Sequence, residues 1–135
     1  MLVLARTNRP VLAHTQARYL SCKEQADLDS KHLESLLRQA DQTNSTQERY
    51  QLLVKAVELC ERMELEIGHQ ARLYDMAANA AYQIEHNERA EQYFMLAINR
   101  WVRSGVEPNS PMIIEISLKL SNIFKQNKQM DKAYR

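Results

Sequence analysis

The sequence predicts an all-α protein, built as a right-handed superhelical stack of antiparallel helix pairs. The 135 residues include only two glycines and three prolines, which leaves little material for tight β-turns. Good helix formers dominate, and apolar residues recur at helical spacing. A longer spacing of 41 to 43 residues also recurs, which is typical of stacked helix pairs. It relates Leu53 to Phe94, Ala56 to Ala97, and Ala90 to Ala133.

Residues 1–23 are expected to lie outside the fold. They carry four basic residues and no acidic residue, a composition typical of a mitochondrial presequence. Arg18 stands three residues before Ser21, which resembles the site of a matrix protease. We interpret this segment as a disordered mitochondrial transit peptide, and an ordinary flexible basic N-terminus is the alternative.

The rest of the chain is slightly acidic, with 14 basic and 17 acidic residues after position 23. This balance gives the folded part no electrostatic reason to bind nucleic acid. No apolar run approaches the roughly 20 residues that span a bilayer. Cys22 and Cys60 match no metal or redox spacing, so we expect inert thiols.

The first repeat is predicted over about residues 30–66. The first helix of this pair is predicted over 26–41, so it begins shortly before the repeat boundary, and a polar break follows it. Ser45 and Glu48 form a capping-box pattern that starts the second helix. The apolar positions of the two helices are Leu28, Leu33, Leu36, Leu37, Ala40, Leu52, Leu53, Ala56, Leu59, Cys60 and Met63.

The second pair is predicted over residues 70–103, after a turn marked by Gly68. Its first helix, 70–85, has small side chains that allow close approach of a neighbouring helix: Ala71, Ala77, Ala78, Ala80 and Ala81. Asn87 is the expected N-cap of the second helix. That helix carries Ala90, Tyr93, Phe94, Ala97, Ile98 and Trp101.

A third pair begins after a loop over 104–110, with Ser110 as cap and Pro111 in the first helical position. Its first helix carries Ile113, Ile116, Leu120, Ile123 and Phe124. A turn is expected at 126–128 and a sixth helix from 130. The last repeat, 111–135, is therefore interpreted as truncated in a fragment of a longer protein, and a natural terminus is the alternative.

Matched positions of these pairs resemble tetratricopeptide repeats, which implies the α-solenoid architecture. The second pair fits best, and the first pair is weaker. The closing proline is absent after the second pair, where Val102 stands. The positions that the resemblance assigns to repeat packing are Tyr74, Ala78, Ala90, Phe94, Ala97, Leu120, Phe124 and Ala133.

A more specific resemblance covers residues 70–126, and a fair one covers 30–69. Here the chain reads RLYDMAANAAYQIEHNERAEQYFMLAI and then IIEISLKLSNIF. Both strings are similar to the mitochondrial tetratricopeptide repeat protein 19 family. That resemblance implies a mitochondrial inner-membrane protein that binds respiratory complex III and helps to clear fragments of the Rieske subunit. The membrane-anchoring stretch and the later repeats of the family are not visible in this sequence.

Catalytic chemistry has little support in the sequence. The four histidines are scattered, without the spacing of a metal site, and no glycine-rich phosphate loop occurs. Cys60 and the aromatic residues Tyr74, Tyr93, Phe94 and Trp101 sit at helical spacing, which favours core packing over a ligand box. We therefore expect no enzyme activity, no cofactor and no metal.

Polar residues on the first helix of each pair are the candidate partner-binding residues, because these helices line the concave face of such solenoids. Arg38, Asn79 and Asn122 take the same place in the three repeats, and their side chains could pair with the backbone of an extended peptide. A merely solvated face is the alternative. The residues that would border them are Asp75, Tyr82, Lys119 and Lys125.

The functional hypothesis is a non-catalytic protein-binding module that acts on respiratory complex III. A generic cytosolic peptide-binding scaffold is the alternative, and an enzyme is the weakest reading.

Overall fold

The computed structural model describes the backbone of residues 2–133 and the side chains of residues 22–130. This backbone forms five α-helices joined by turns, so the all-α class is confirmed. Each helix packs against the next in sequence, most extensively α3 with α4 and least α4 with α5. The right-handed superhelix stays a prediction. The helices are α1, Leu2–Gln42; α2, Thr46–Arg62; α3, Ile67–Gln83; α4, Asn87–Arg103; and α5, Pro111–Ala133.

Helix α1 is longer than predicted, because its backbone is helical from Leu2 rather than disordered over residues 1–23. The role of that segment as a presequence stays a prediction. At the other end of α1, Arg49 of α2 satisfies carbonyl groups that the helix terminus leaves open. Its Nε donates to the carbonyl of Ala40 at 3.1 Å and its Nη2 to that of Thr43 at 2.9 Å. These bonds hold the start of α2 to the end of α1.

The predicted cap at Ser45 is confirmed, with one addition. The Ser45 hydroxyl accepts from the backbone N–H of Glu48 at 3.2 Å. The Glu48 carboxylate accepts from the hydroxyl of Thr43 at 2.8 Å, and the backbone N–H of Ser45 donates to that same hydroxyl at 3.2 Å. In a direct capping box the Glu48 carboxylate would accept from the backbone N–H of Ser45. Here the Thr43 hydroxyl lies between these two groups, accepts from the N–H and donates to the carboxylate.

Helices α3 and α4 end in the same way, with a Schellman motif. After α3, the N–H of His86 donates to the carbonyl of Ala81, and Glu85 takes the left-handed position with φ 61°. After α4, the N–H of Val106 donates to the carbonyl of Trp101, and Gly105 takes that position with φ 106°. One turn thus uses a glycine, and the other holds a side chain in a conformation that L-residues disfavour.

Three expected turn features are wrong. Gly68 lies inside the first turn of α3, because the chain turns earlier, between α2 and α3. Asn87 starts α4 but caps nothing; its amide donates instead to Gln126 of α5 at 2.9 Å. Residues 126–128 do not turn, since they contain no glycine or proline and α5 continues through them to Ala133. No separate sixth helix therefore begins at 130.

The main core lies between α3 and α4. All five alanines predicted at close-approach positions of α3 are buried, and so are Tyr93, Phe94 and Trp101 of α4. Small side chains on one helix let the large aromatic rings of the other fill the interface. A second cluster joins α1, α2 and the start of α3 through Leu33, Leu36, Ala56, Leu59, Cys60 and Leu73.

Helix α5 packs against α4 and adds Ile113, Ile116, Leu120 and Ile123 to the main core, where all four are buried. Phe124 departs from the expected interior position, because 49% of its surface is exposed. The preceding residue, Ile123, is buried, and so is Leu120 one turn earlier, so Phe124 lies at the edge of the buried face of α5. Ala133, expected at a repeat position, falls outside the described side chains.

A candidate partner-binding surface

Five of the seven predicted binding residues meet in the space between α3 and α5. Asp75, Asn79 and Tyr82 come from α3, and Lys119 and Asn122 come from α5. Their spacing on each helix places them one turn apart on the same face. The 43-residue offset therefore relates two residues of the same inter-helix space, where Asn79 contacts Lys119 and Asn122 contacts Tyr82.

Asn79 is the centre of the first contact group. Its Nδ2 donates to the backbone carbonyl of Asp75 and to the Oδ1 of the same residue, both at 2.9 Å. Its Oδ1 accepts a hydrogen bond from the Nζ of Lys119. Both ends of the amide are engaged within the protein, so Asn79 has little capacity left to pair with an extended peptide.

Lys119 carries the positive charge of this group. Its Nζ lies 3.2 Å from a carboxylate oxygen of Glu115 and 5.9 Å from the centre of the Phe94 ring. Burial raises the pKa of the Asp75 carboxyl above its usual value, while the charge of Lys119 lowers it and that of Glu115 raises it. Asp75 is therefore held where desolvation outweighs the attraction of the nearby ammonium.

Tyr82 and Asn122 form the second contact group. The Nδ2 of Asn122 donates to the hydroxyl of Tyr82 at 2.6 Å, and the Tyr82 ring meets Phe94 edge to face at 6.2 Å. The two groups together connect α3 to α5 through polar side chains, where the helices make no close backbone contact. Arg38 and Lys125 remain apart from both groups as exposed residues of α1 and α5.

The space between α1 and α3 is lined mainly by apolar side chains, in contrast to the polar space between α3 and α5. These helices also make no close backbone contact, and an open cleft of about 320 Å³ separates them. Ser30, Glu34, His69 and Arg72 lie around its rim. The apolar residues that line it are Leu33, Leu37, Met63, Leu65, Leu73 and Met76.

Sequence reasoning missed this cleft because it assigned Leu33 and Leu37 to the core and attached no role to Met76. Leu33 and Leu73 are indeed buried, but Leu37, Met63, Leu65 and Met76 are only partly covered. The sequence feature that could have indicated the cleft is the apolar side of α1, because it is wider than α2 alone can cover. A larger open hollow, about 770 Å³, continues from the cleft along Cys22, Gln25 and Asp29 of α1.

The aromatic residues considered for a ligand box lie in the interior instead. Tyr74 and Tyr93 stack at 6.3 Å, and the guanidinium of Arg100 lies 5.7 Å from the centre of the Tyr74 ring. Burial raises the pKa of both tyrosines. It also raises the pKa of the Cys60 thiol, with a further contribution from Glu61, so this cysteine stays protonated in the core.

Among the described residues, none of the helices is long and apolar enough to cross a membrane. No family model matches the chain, and no solved structure matches it. Two curated relatives do match, both named "Tetratricopeptide repeat protein 19, mitochondrial". The mouse protein is 44% identical and the rat protein 42% identical, each over 57 residues.

Those 57 residues are 42% of this chain and 16% of each relative. The chain therefore matches only a small part of the two longer proteins. Their names describe mitochondrial repeat proteins of a scaffold class that is generally non-catalytic. The matched part of this all-helical chain is thus weakly related to mitochondrial tetratricopeptide repeat proteins, which indicates a role in protein interaction.

Proposed function

We propose that this chain is a non-catalytic protein-binding repeat module that acts on respiratory complex III at the mitochondrial inner membrane. The observation that carries the proposal is the 44% identity to a mitochondrial tetratricopeptide repeat protein over 57 residues. The resemblance to that family implies complex III as the partner and the clearance of Rieske-subunit fragments as the process. The helical fold, with spaces between successive first helices of the pairs, suits a surface that binds another polypeptide.

Residues 1–23 would direct the chain to mitochondria. Their four basic residues and the absence of an acidic residue suit transport across a membrane that is negative inside. Processing after Leu20 would leave Ser21 as the new N-terminus. It would shorten α1, which begins at Leu2, but keep the buried α1 residues Leu33, Leu36 and Ala40.

Import into isolated mitochondria, followed by affinity purification, tests the proposal. The imported chain should lose about twenty residues at its N-terminus, and it should co-purify with complex III subunits from mild detergent. A variant with Arg6, Arg9 and Arg18 replaced by glutamine is the control and should stay outside. Cytosolic residence of the wild-type chain, with partners unrelated to respiration, would favour the generic peptide-binding scaffold instead.

A further inference from the structure

We infer that the apolar cleft between α1 and α3 binds an amphipathic α-helix of the partner, through two aliphatic side chains one helical turn apart. The inference rests on the proposed function, since it names the kind of segment that a protein-binding module would take. It also moves the binding site away from the Asn79 and Asn122 pair, whose side chains connect α3 to α5.

The dimensions of the cleft suit two side chains. Its walls are formed by residues 30–37 of α1 and 69–76 of α3, and each wall is therefore about 10 Å long at 1.5 Å per residue. Side chains at positions i and i+4 of a helix lie about 5 to 6 Å apart. The volume of about 320 Å³ is at the lower end of the range for ligand pockets. Two leucine-sized groups therefore fit along it.

A helical occupant suits the walls better than an extended one. The main-chain groups of α1 and α3 along the cleft are used inside their own helices, so the walls offer an extended peptide few backbone partners. Such a peptide would bury its own N–H and C=O groups at a cost, whereas a helix satisfies them internally. The Asn79 amide, which could have paired with an extended backbone, is engaged with Asp75 and Lys119.

The floor and sides of the cleft are adaptable. Leu33 and Leu73 are buried at the bottom, and Met63 and Met76 lie partly exposed beside them. Unbranched methionine side chains adjust to the shape of an inserted group, which is why they are frequent on surfaces that bind helices. The site can therefore accept leucine, isoleucine or methionine anchors.

The charges at the rim add a preference for the flanks of the occupant. Exposed Glu34 stands on the α1 side, and exposed Arg72 stands on the α3 side. A helix with basic residues on one flank and acidic residues on the other complements both sides. Because these rim charges are exposed, each matched pair should change affinity only about two- to fivefold.

Purified full-length chain and a synthetic peptide test the inference. The probe is a fluorescent, end-capped, alanine-based helix of about 16 residues, with two leucines four positions apart, glutamates on one flank and lysines on the other. Two control peptides replace both leucines by alanine, or carry lysines on both flanks. In fluorescence anisotropy the probe should bind at least tenfold more tightly than the leucine-free control. Equal binding of these two peptides would overturn the inference.

Substitutions locate the site. Met76→Glu places a charge among the apolar groups of the cleft and should weaken probe binding at least tenfold. Met95→Glu is the matched control, because Met95 of α4 is 56% exposed and lies outside the cleft; it should bind as the wild type does. Arg72→Glu should reverse the flank preference, so that the peptide with lysines on both flanks binds more tightly than the probe. Unchanged binding by the Met76 variant contradicts the assignment.

Methionine methyl NMR of the wild-type chain gives a readout that no folding defect can confuse. Addition of the probe should shift the methyl signals of Met63 and Met76 and leave those of Met95 and Met112 in place. Shifts confined to Met95 or Met112 would place the site elsewhere. If Met76→Glu no longer binds the peptide but still co-purifies with complex III, the partner does not bind in the cleft. The inference then fails, and the proposed function stands. If the peptide binds and complex III does not, only the proposed function fails.

Discussion

Lys119 of α5 and Asn79 of α3 are joined by a hydrogen bond from the Nζ ammonium to the amide oxygen, although 40 residues separate them in sequence. The same amide donates to Asp75, so one asparagine connects a carboxylate on its own helix to an ammonium on another. This bond and the one between Asn122 and Tyr82 connect α5 to α3 by side chains alone. The structural role of the polar residues between these helices is therefore to hold α5 in position next to α3.

Asn79→Ala should lower the free energy of unfolding by about 1 to 2 kcal/mol, because it removes three hydrogen bonds and leaves the half-buried Lys119 and Asp75 poorly paired. Asn109→Ala, in the exposed loop before α5, is the matched control and should have little effect. Urea denaturation followed by circular dichroism measures both. Equal stability of the two variants would mean that the Asn79 contacts are energetically neutral.

The pH dependence of stability should carry a contribution from Asp75. Its folded-state pKa is raised, mainly by burial, so the folded chain holds this proton more tightly than the unfolded chain does. The resulting stability is present below the unfolded pKa of about 3.9 and is lost as pH rises through the folded pKa. Asp75→Asn keeps an oxygen that can accept from Asn79 and cannot ionise.

The stability of Asp75→Asn relative to the wild type should therefore increase between pH 4 and pH 7. Urea midpoints measured across this range give the comparison. A relative stability that falls with pH would instead mean that the attraction of Lys119 for the ionised carboxylate outweighs desolvation.

The two Schellman turns predict opposite effects of glycine substitutions. Glu85→Gly should raise the free energy of unfolding by about 0.5 to 1 kcal/mol, since Glu85 has φ 61° and a glycine adopts that conformation without strain. Gly105→Ala should lower it by about 1 kcal/mol for the same reason. Thermal melts measure both changes. Destabilisation by Glu85→Gly would show that the side chain has a stabilising role outweighing the backbone strain.

Ala80→Glu should unfold the domain. Ala80 of α3 is 3% exposed and belongs to the main core. An unpaired charge at this position costs several kcal/mol, which is comparable to the whole stability of a small domain. Gln83→Glu, on an exposed position of the same helix, is the control and should melt like the wild type. A cooperative melt of Ala80→Glu near the wild-type temperature would place Ala80 at the surface.

Local patterns predicted the helices and their chemically defined ends. Ser45 and Pro111 were identified correctly, because a cap or a proline acts on the residues next to it. Gly68 and Asn87 were misassigned because neither residue type obliges a turn or a cap. The turn expected at 126–128 was wrong for a related reason: Gln, Asn and Lys do not interrupt a helix, and α5 continues through them. The contact of Gln126 with Asn87 could not be predicted from neighbouring residues, because Asn87 is distant in sequence.

The repeat offset brought Asn79 and Asn122 to one region but could not predict their partners. Those contacts depend on how far apart α3 and α5 lie, and no local pattern encodes that distance. The cleft was missed for the same reason. It is a volume between α1 and α3, and Leu37 reads as a core residue unless the position of the opposite helix is known.

The slight attachment of α5 has a kinetic consequence. It rests on α4 through four buried side chains and on α3 through polar bridges that water can replace. Opening of α5 should therefore precede global unfolding and proceed as one cooperative unit. Its amide protons should exchange with deuterium faster than those of α3 and α4, whose interface remains closed while the last helix detaches and returns.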